Sequence, residues 1–137
     1  MKVTKRILLS AGLLLAGAVA LPAQNLKADI PFDFYVGETK LAAGTYNITQ
    51  AADLQGHLYR LRERRSTAST LAAFPIPAAA YSPAVKDTKM LFRCAQNECE
   101  LHELWIGATG TKLRAGRSKR FDGVHTEIAT VLLKYGM

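Results

Sequence analysis

The chain has 137 residues, 49% of them apolar and 8% aromatic, with 18 Lys and Arg against 11 Asp and Glu. That size bounds it to one small domain with at most a tail. The mixed charge excludes a disordered chain, the ten Gly without period exclude collagen, and two Cys are too few for a disulfide-dense miniprotein.

The N-terminal segment reads as an address rather than as fold. Lys2, Lys5 and Arg6 precede an uncharged run from Ile7 to Leu21, with small residues at Ala18, Ala20 and Ala23. This is the pattern of a secretory signal peptide over residues 1–23. The apolar run is shorter than the roughly 20 residues a membrane-spanning helix needs, so no transmembrane helix is expected in the mature chain. Cleavage after Ala23 is preferred, with Ala20 and Ala28 as other sites, and no Cys follows the run to take a lipid anchor. Downstream of residue 23 lie 15 bases and all 11 acids, a modest basic excess. Residues 24–137 are therefore expected to form a single β-rich domain, exported to the periplasm or the extracellular space.

From Ile30 the pattern takes the period of strands. Ile30, Phe32, Phe34 and Val36 alternate with Pro31, Asp33 and Tyr35, which predicts one strand with an apolar face. Gly37 to Lys40 reads as a turn and Ala43-Gly44 as a second break. Thr45 to Thr49 alternates again, so residues 30–50 form a hairpin-like pair. Further strands are expected over His57 to Glu63 and Thr67 to Phe74. Pro75, Pro77 and Pro83 then mark an Ala-rich connection, expected as an exposed loop over 75–87. Lys89 to Arg93 and Glu100 to Ile106 form another pair, and Gly107 to Gly110 a turn. Val124 to Lys134 is rich in Val, Ile and Thr and reads as a final strand, with a helix as the alternative. About seven short strands broken by turns imply an all-β fold, either an antiparallel β-sandwich or a small β-barrel.

The string Ala28-Asp29-Ile30-Pro31-Phe32-Asp33-Phe34-Tyr35-Val36-Gly37, followed by Leu41-Ala42-Ala43-Gly44-Thr45-Tyr46, carries a resemblance. It is similar to the opening of a family of small exported proteins of unknown function from Gram-negative soil bacteria, whose members read "PFdFxVG" and then "LPAGxY". Ala42 stands where that pattern has proline. Two later stretches, Leu101 to Trp105 and Gly110 to Arg120, resemble the family's "LxxxW" strand and its "GxxLpxsrxer" segment. The resemblance implies no activity, cofactor or catalytic residue.

Cys94 and Cys99 flank a four-residue stretch, and in an exported protein two cysteines across a short turn are most simply a disulfide between adjacent strands. In the chain-entropy model so short a loop contributes about 2 kcal/mol. Adding His102 makes three potential metal ligands, one short of a structural zinc set, and the C-x-x-C spacing of redox motifs is absent. No metal or cofactor is expected. The hydrolytic and nucleotide-binding signatures are likewise missing, and Gly107 to Lys112 is better explained by a turn than by a phosphate loop. Glu98 and Glu100 would share a strand face with His102 while Glu103 points away, a weak basis for hydrolase chemistry.

Arg60, Arg62 and Arg64 alternate, so their guanidinium groups project from one face roughly 6.5 to 7 Å apart, a spacing able to meet successive anionic groups. Arg114, Arg117, Lys119 and Arg120 add a second basic cluster. The competing explanation is a solvated face paired with cross-strand carboxylates such as Glu98 and Glu100. Export and the lack of a recognition module argue against nucleic acid. Trp105, Tyr46, Tyr59, Phe32, Phe34 and Phe92 supply enough aromatic surface for a core, or would line an apolar cavity if a barrel were hollow. The resulting expectation is a non-enzymatic binding or structural module. Its candidate anion-binding residues are Arg60, Arg62, Arg64, Arg117, Lys119 and Arg120, and its partner an anionic envelope component or another exported protein. A small apolar-ligand carrier and a hydrolase are the alternatives.

Overall fold

The computed structural model describes residues 25–51, 58–74, 86–116 and 118–135. Residues 1–24, with the expected cleavage site at Ala23, the 75–85 part of the Pro-rich connection, His57 and Arg117 lie outside these. The described chain forms ten strands and no helix: β1 (Leu26–Ile30), β2 (Phe34–Val36), β3 (Thr39–Leu41), β4 (Gly44–Gln50), β5 (Leu58–Glu63), β6 (Ser69–Ala73), β7 (Lys89–Ala95), β8 (Glu98–Ile106), β9 (Thr111–Arg114) and β10 (Glu127–Tyr135).

They make one curled sheet in the order β3-β2-β8-β7-β10-β1-β4-β5-β6, with β9 paired to β8. All ladders are antiparallel except the single β2–β8 bridge at Tyr35 and Glu100. The two ends of the curl approach each other where β2 lies beside β6, so the sheet is a nearly closed barrel rather than a sandwich. Residues 127–135 are strand, as their β-branched content indicates.

The expected strand over 30–36 is in fact two. Ile30 ends β1, which lies between β10 and β4, while Phe34 opens β2, which pairs with β3 and β8. Pro31 has no N–H for a ladder, and the chain crosses there from one part of the barrel to another. Asp33 Oδ1 accepts from the Ala43 N–H at 2.9 Å, holding the crossing against the next turn. The expected turn over 37–40 shortens to Gly37 and Glu38, with Gly37 at φ 62°, and Thr39 and Lys40 already belong to β3. The 30–50 segment is thus a small β2–β3 hairpin followed by β4, whose partner is β1, with Leu26 opposite Ile48 and Ile30 opposite Gly44.

Alternation sends Leu26, Ala28, Ile30, Tyr46, Ile48, Leu61, Met90 and Phe92 inward. Phe34, Phe92 and Phe32 meet edge to face, Phe34 also meets Tyr46, and Tyr59 packs on Phe74 in the same way. Each fully buried Phe contributes about 2 kcal/mol or more by area alone. Trp105 departs from the core expectation. Leu104 and Ile106 take the inward positions of β8, which leaves the indole half-buried on the outer face.

Candidate anion-binding face

β10, β1, β4 and β5 are successive neighbours in the sheet, so their outer faces form one continuous stretch of the barrel wall. Because Leu26, Ala28, Ile48, Leu61 and Leu133 point inward, the residues between them point out. The register then lines them up across strands. Lys134 is opposite Lys27, Lys27 opposite Asn47, Asn47 opposite Arg62, and Arg62 opposite Ser69. One step along β5, Arg60 is opposite Thr49. One step the other way, the Arg64 N–H donates to the Thr45 carbonyl at 2.8 Å and extends the ladder into the turn.

With strands about 4.8 Å apart and outward residues about 6.8 Å apart along each, five cationic side chains fall within one patch. They surround an open trough of about 710 Å3 lined by Lys27, Asn47, Arg60, Arg62, Arg64 and Lys134. Among the described residues, none of Lys27, Arg60, Arg62, Arg64 or Lys134 takes part in an ion pair. Among the described residues Asp29 is the acid on this face, and its Oδ1 accepts from Thr45 Oγ1 at 2.8 Å. Glu63 alternates to the other side of β5, where its carboxylate adds to burial and to Asp33 in raising the Tyr46 phenol above its ordinary range.

The carboxylates expected to neutralise the arginine stripe are elsewhere. Glu100 is buried on β8 and accepts from Arg93 Nη2, from Ser118 Oγ and, at 3.3 Å, from Arg120 Nη1. Arg120 also donates to the Gly37 carbonyl at 3.2 Å, and its guanidinium lies 3.7 Å from the centre of the Tyr35 ring. Arg120 is therefore the clasp that holds the segment after β9 onto β2 and β8, and its donors are already engaged. Lys119 and Arg114 are exposed, and among the described residues Arg114, Lys119 and Arg120 do not line the trough of Arg60, Arg62 and Arg64.

The expected separation of His102 from Glu103 is overturned. The β7–β8 register shifts between Leu91 and Phe92, so that Leu91 is opposite Glu103 while Phe92 is opposite Leu101. His102 is the extra residue of a bulge. A bulge resets the two-residue alternation, which is why Leu101 and Leu104, three apart, are both buried. His102 Nε2 lies 3.5 Å from Glu103 Oε2, and Glu103 also accepts from Trp105 Nε1 at 3.0 Å with Lys112 Nζ at 3.4 Å. Lys89 and Lys112 approach the Trp105 ring at 4.3 and 5.1 Å. Burial and the nearby Arg93 hold the His102 imidazole below its ordinary pKa.

Cys94 and Cys99 are joined as a disulfide across the β7–β8 hairpin, with Cα atoms 4.0 Å apart, so neither sulfur is free to ligate a metal with His102. Gly107 to Gly110 is a turn packed on residues 86–88, which lead into β7. The Gly107 N–H donates to Thr88 Oγ1 at 2.9 Å, and a Cβ at Gly107 would lie 2.2 Å from the Lys86 carbonyl oxygen. The inward positions that would line a carrier's cavity are occupied by Phe34, Phe74, Phe92 and Met90.

Sequence reasoning found the β5 arginines and missed Lys27, Asn47 and Lys134. The signal for each was present, since all three occupy the outward phase of an alternating run. What places them beside the arginines is strand order, which alternation does not encode. No family model, curated protein or solved structure matches the chain.

Proposed function

We propose that the protein is an exported, non-enzymatic binding module whose cationic outer face holds a phosphate-bearing envelope component. The observation that carries this reading is the alignment of Lys27, Arg60, Arg62, Arg64 and Lys134 around one trough, with no carboxylate partner for any of them among the described residues. Five unpartnered cations repel one another, and an anion with repeated charges relieves that repulsion at several points at once. Guanidinium groups suit phosphate because their planar donors reach two oxygens together. The outward spacing along β5 allows successive phosphates of an extended chain to be met in turn.

Export is supported by the N-terminal charge and hydropathy pattern, by the resemblance to small exported proteins, and by the Cys94–Cys99 disulfide, which suits an oxidising compartment. The test is titration of the protein with soluble inorganic polyphosphate over a salt series, read by calorimetry. Replacing Arg60, Arg62 and Arg64 together with Gln should weaken binding by at least about tenfold and flatten its dependence on salt. Equal affinity of the triple variant and the unmodified protein would sink the assignment.

A further inference from the structure

The cationic face is bordered by apolar side chains. On β10, Ile128 and Leu132 share the outward phase of Lys134, while Val131 and Leu133 turn inward. Leu132 is 67% exposed and Ile128 55%. Leu132 stands one outward step from Lys134, which is level with Lys27 and, through it, with Asn47 and Arg62. Tyr135, half exposed, lines the same trough as the arginines. On the opposite flank, Leu71 of β6 is 49% exposed and sits opposite Arg60.

A single exposed Leu on a protein surface has no special meaning. Here large apolar side chains stand on both flanks of five cations that are unpaired among the described residues, and on one strand two of them share the outward phase of a lysine. A free polyanion has nothing to offer Leu132 or Ile128. A bilayer with anionic headgroups offers both partners at the right depths, phosphates outside and hydrocarbon beneath. We propose that the anion this face meets is membrane-borne. On an anionic phospholipid bilayer, Lys27, Arg60, Arg62, Arg64 and Lys134 take the headgroup phosphates, and Leu132 and Ile128 enter the boundary between headgroups and acyl chains. This inference rests on the anion-binding reading above and adds the lipid source of the charge.

The experiment compares the unmodified protein with the double variant Leu132→Ser, Ile128→Ser. Flotation is measured with vesicles of phosphatidylglycerol and phosphatidylethanolamine, and with vesicles of phosphatidylcholine alone. Both replaced side chains are more than half exposed, and circular dichroism verifies that the variant keeps its sheet. The unmodified protein is expected to float with the anionic vesicles and not with phosphatidylcholine. The double variant should lose at least about tenfold in partitioning, from the apolar area no longer buried, while its affinity for soluble polyphosphate stays within about twofold. Equal partitioning of the two proteins would overturn the inference, as would a protein that binds polyphosphate and ignores anionic vesicles. Failure of the unmodified protein to bind polyphosphate as well would remove the anion-binding reading itself.

Discussion

Glu100 is the residue on which the arrangement of charge in this protein turns. Its carboxylate is almost fully buried and is met by Arg93 from β7 and by Ser118 and Arg120 from the connection after β9, so two separate segments converge on one anion. Removing it would leave two half-enclosed guanidinium groups without their partner. Glu100→Ala is expected to cost about 3 kcal/mol of stability, measured by urea denaturation. A loss below about 1 kcal/mol would show that the arginines find other acceptors and that Glu100 is not the anchor. In the sequence Glu100 stood as a cross-strand partner for the arginine stripe, and its carboxylate serves Arg93 and Arg120 instead. Arg93 meets it across the β7–β8 hairpin, whereas Ser118 and Arg120 reach it because their segment lies back against β2 and β8, an event that no local pattern announces. Arg120 looked equivalent to the other basic residues around it for the same reason, because its enclosure by the Tyr35 ring and Gly37 is a tertiary fact.

At the scale of elements, the β7–β8 hairpin shows where alternation succeeds and where it fails. Cys94 and Cys99 were expected to face each other across a short turn, and they do so with Gln96 and Asn97 both in the left-handed region, at φ 54° and 64°. A two-residue turn of that hand matches the twist of the flanking strands. The disulfide closes a loop of only a few residues, so reduction should lower stability by about 2 kcal/mol and leave the sheet intact. Urea midpoints with and without reductant, followed by far-ultraviolet circular dichroism, test this. Loss of the whole strand signal on reduction would make the bond a condition of folding rather than a local clasp. Further along the same hairpin the bulge at His102 brings it beside Glu103, where strict alternation would have put them on opposite faces. Leu101 and Leu104 hint at it, because two buried residues three apart do not fit one uninterrupted strand face.

For the molecule as a whole, the unequal ends of the curled sheet matter most. β1 has ladders on both sides, to β10 and β4, whereas β6 pairs only with β5 and meets β2 without a ladder. Backbone amides of β1 and β10 should therefore exchange with deuterium last, and those of β6 first among the longer strands, because β6 opens without breaking a second set of hydrogen bonds. Hydrogen exchange read by mass spectrometry distinguishes the strands. Protection of β6 equal to that of β1 would mean that its free edge is paired in solution, and the nearly closed barrel would need a further partner there.

What the sequence by itself determined were properties that repeat every two residues or that act across a few. It specified an all-β chain, the inward phases of β4, β5 and β7, the common face of Arg60, Arg62 and Arg64, and the meeting of Cys94 with Cys99. Only the tertiary structure decided that Ile30 and Phe34 belong to different parts of the barrel, that Glu100 is claimed by Arg93 and Arg120, and that Lys27 and Lys134 complete a patch begun on β5. The physical reason is the same in each case. A strand's phase is set by its own side chains, but its neighbours are chosen by competition among all strands for edges and for one apolar interior, and that choice is made between residues far apart in the chain.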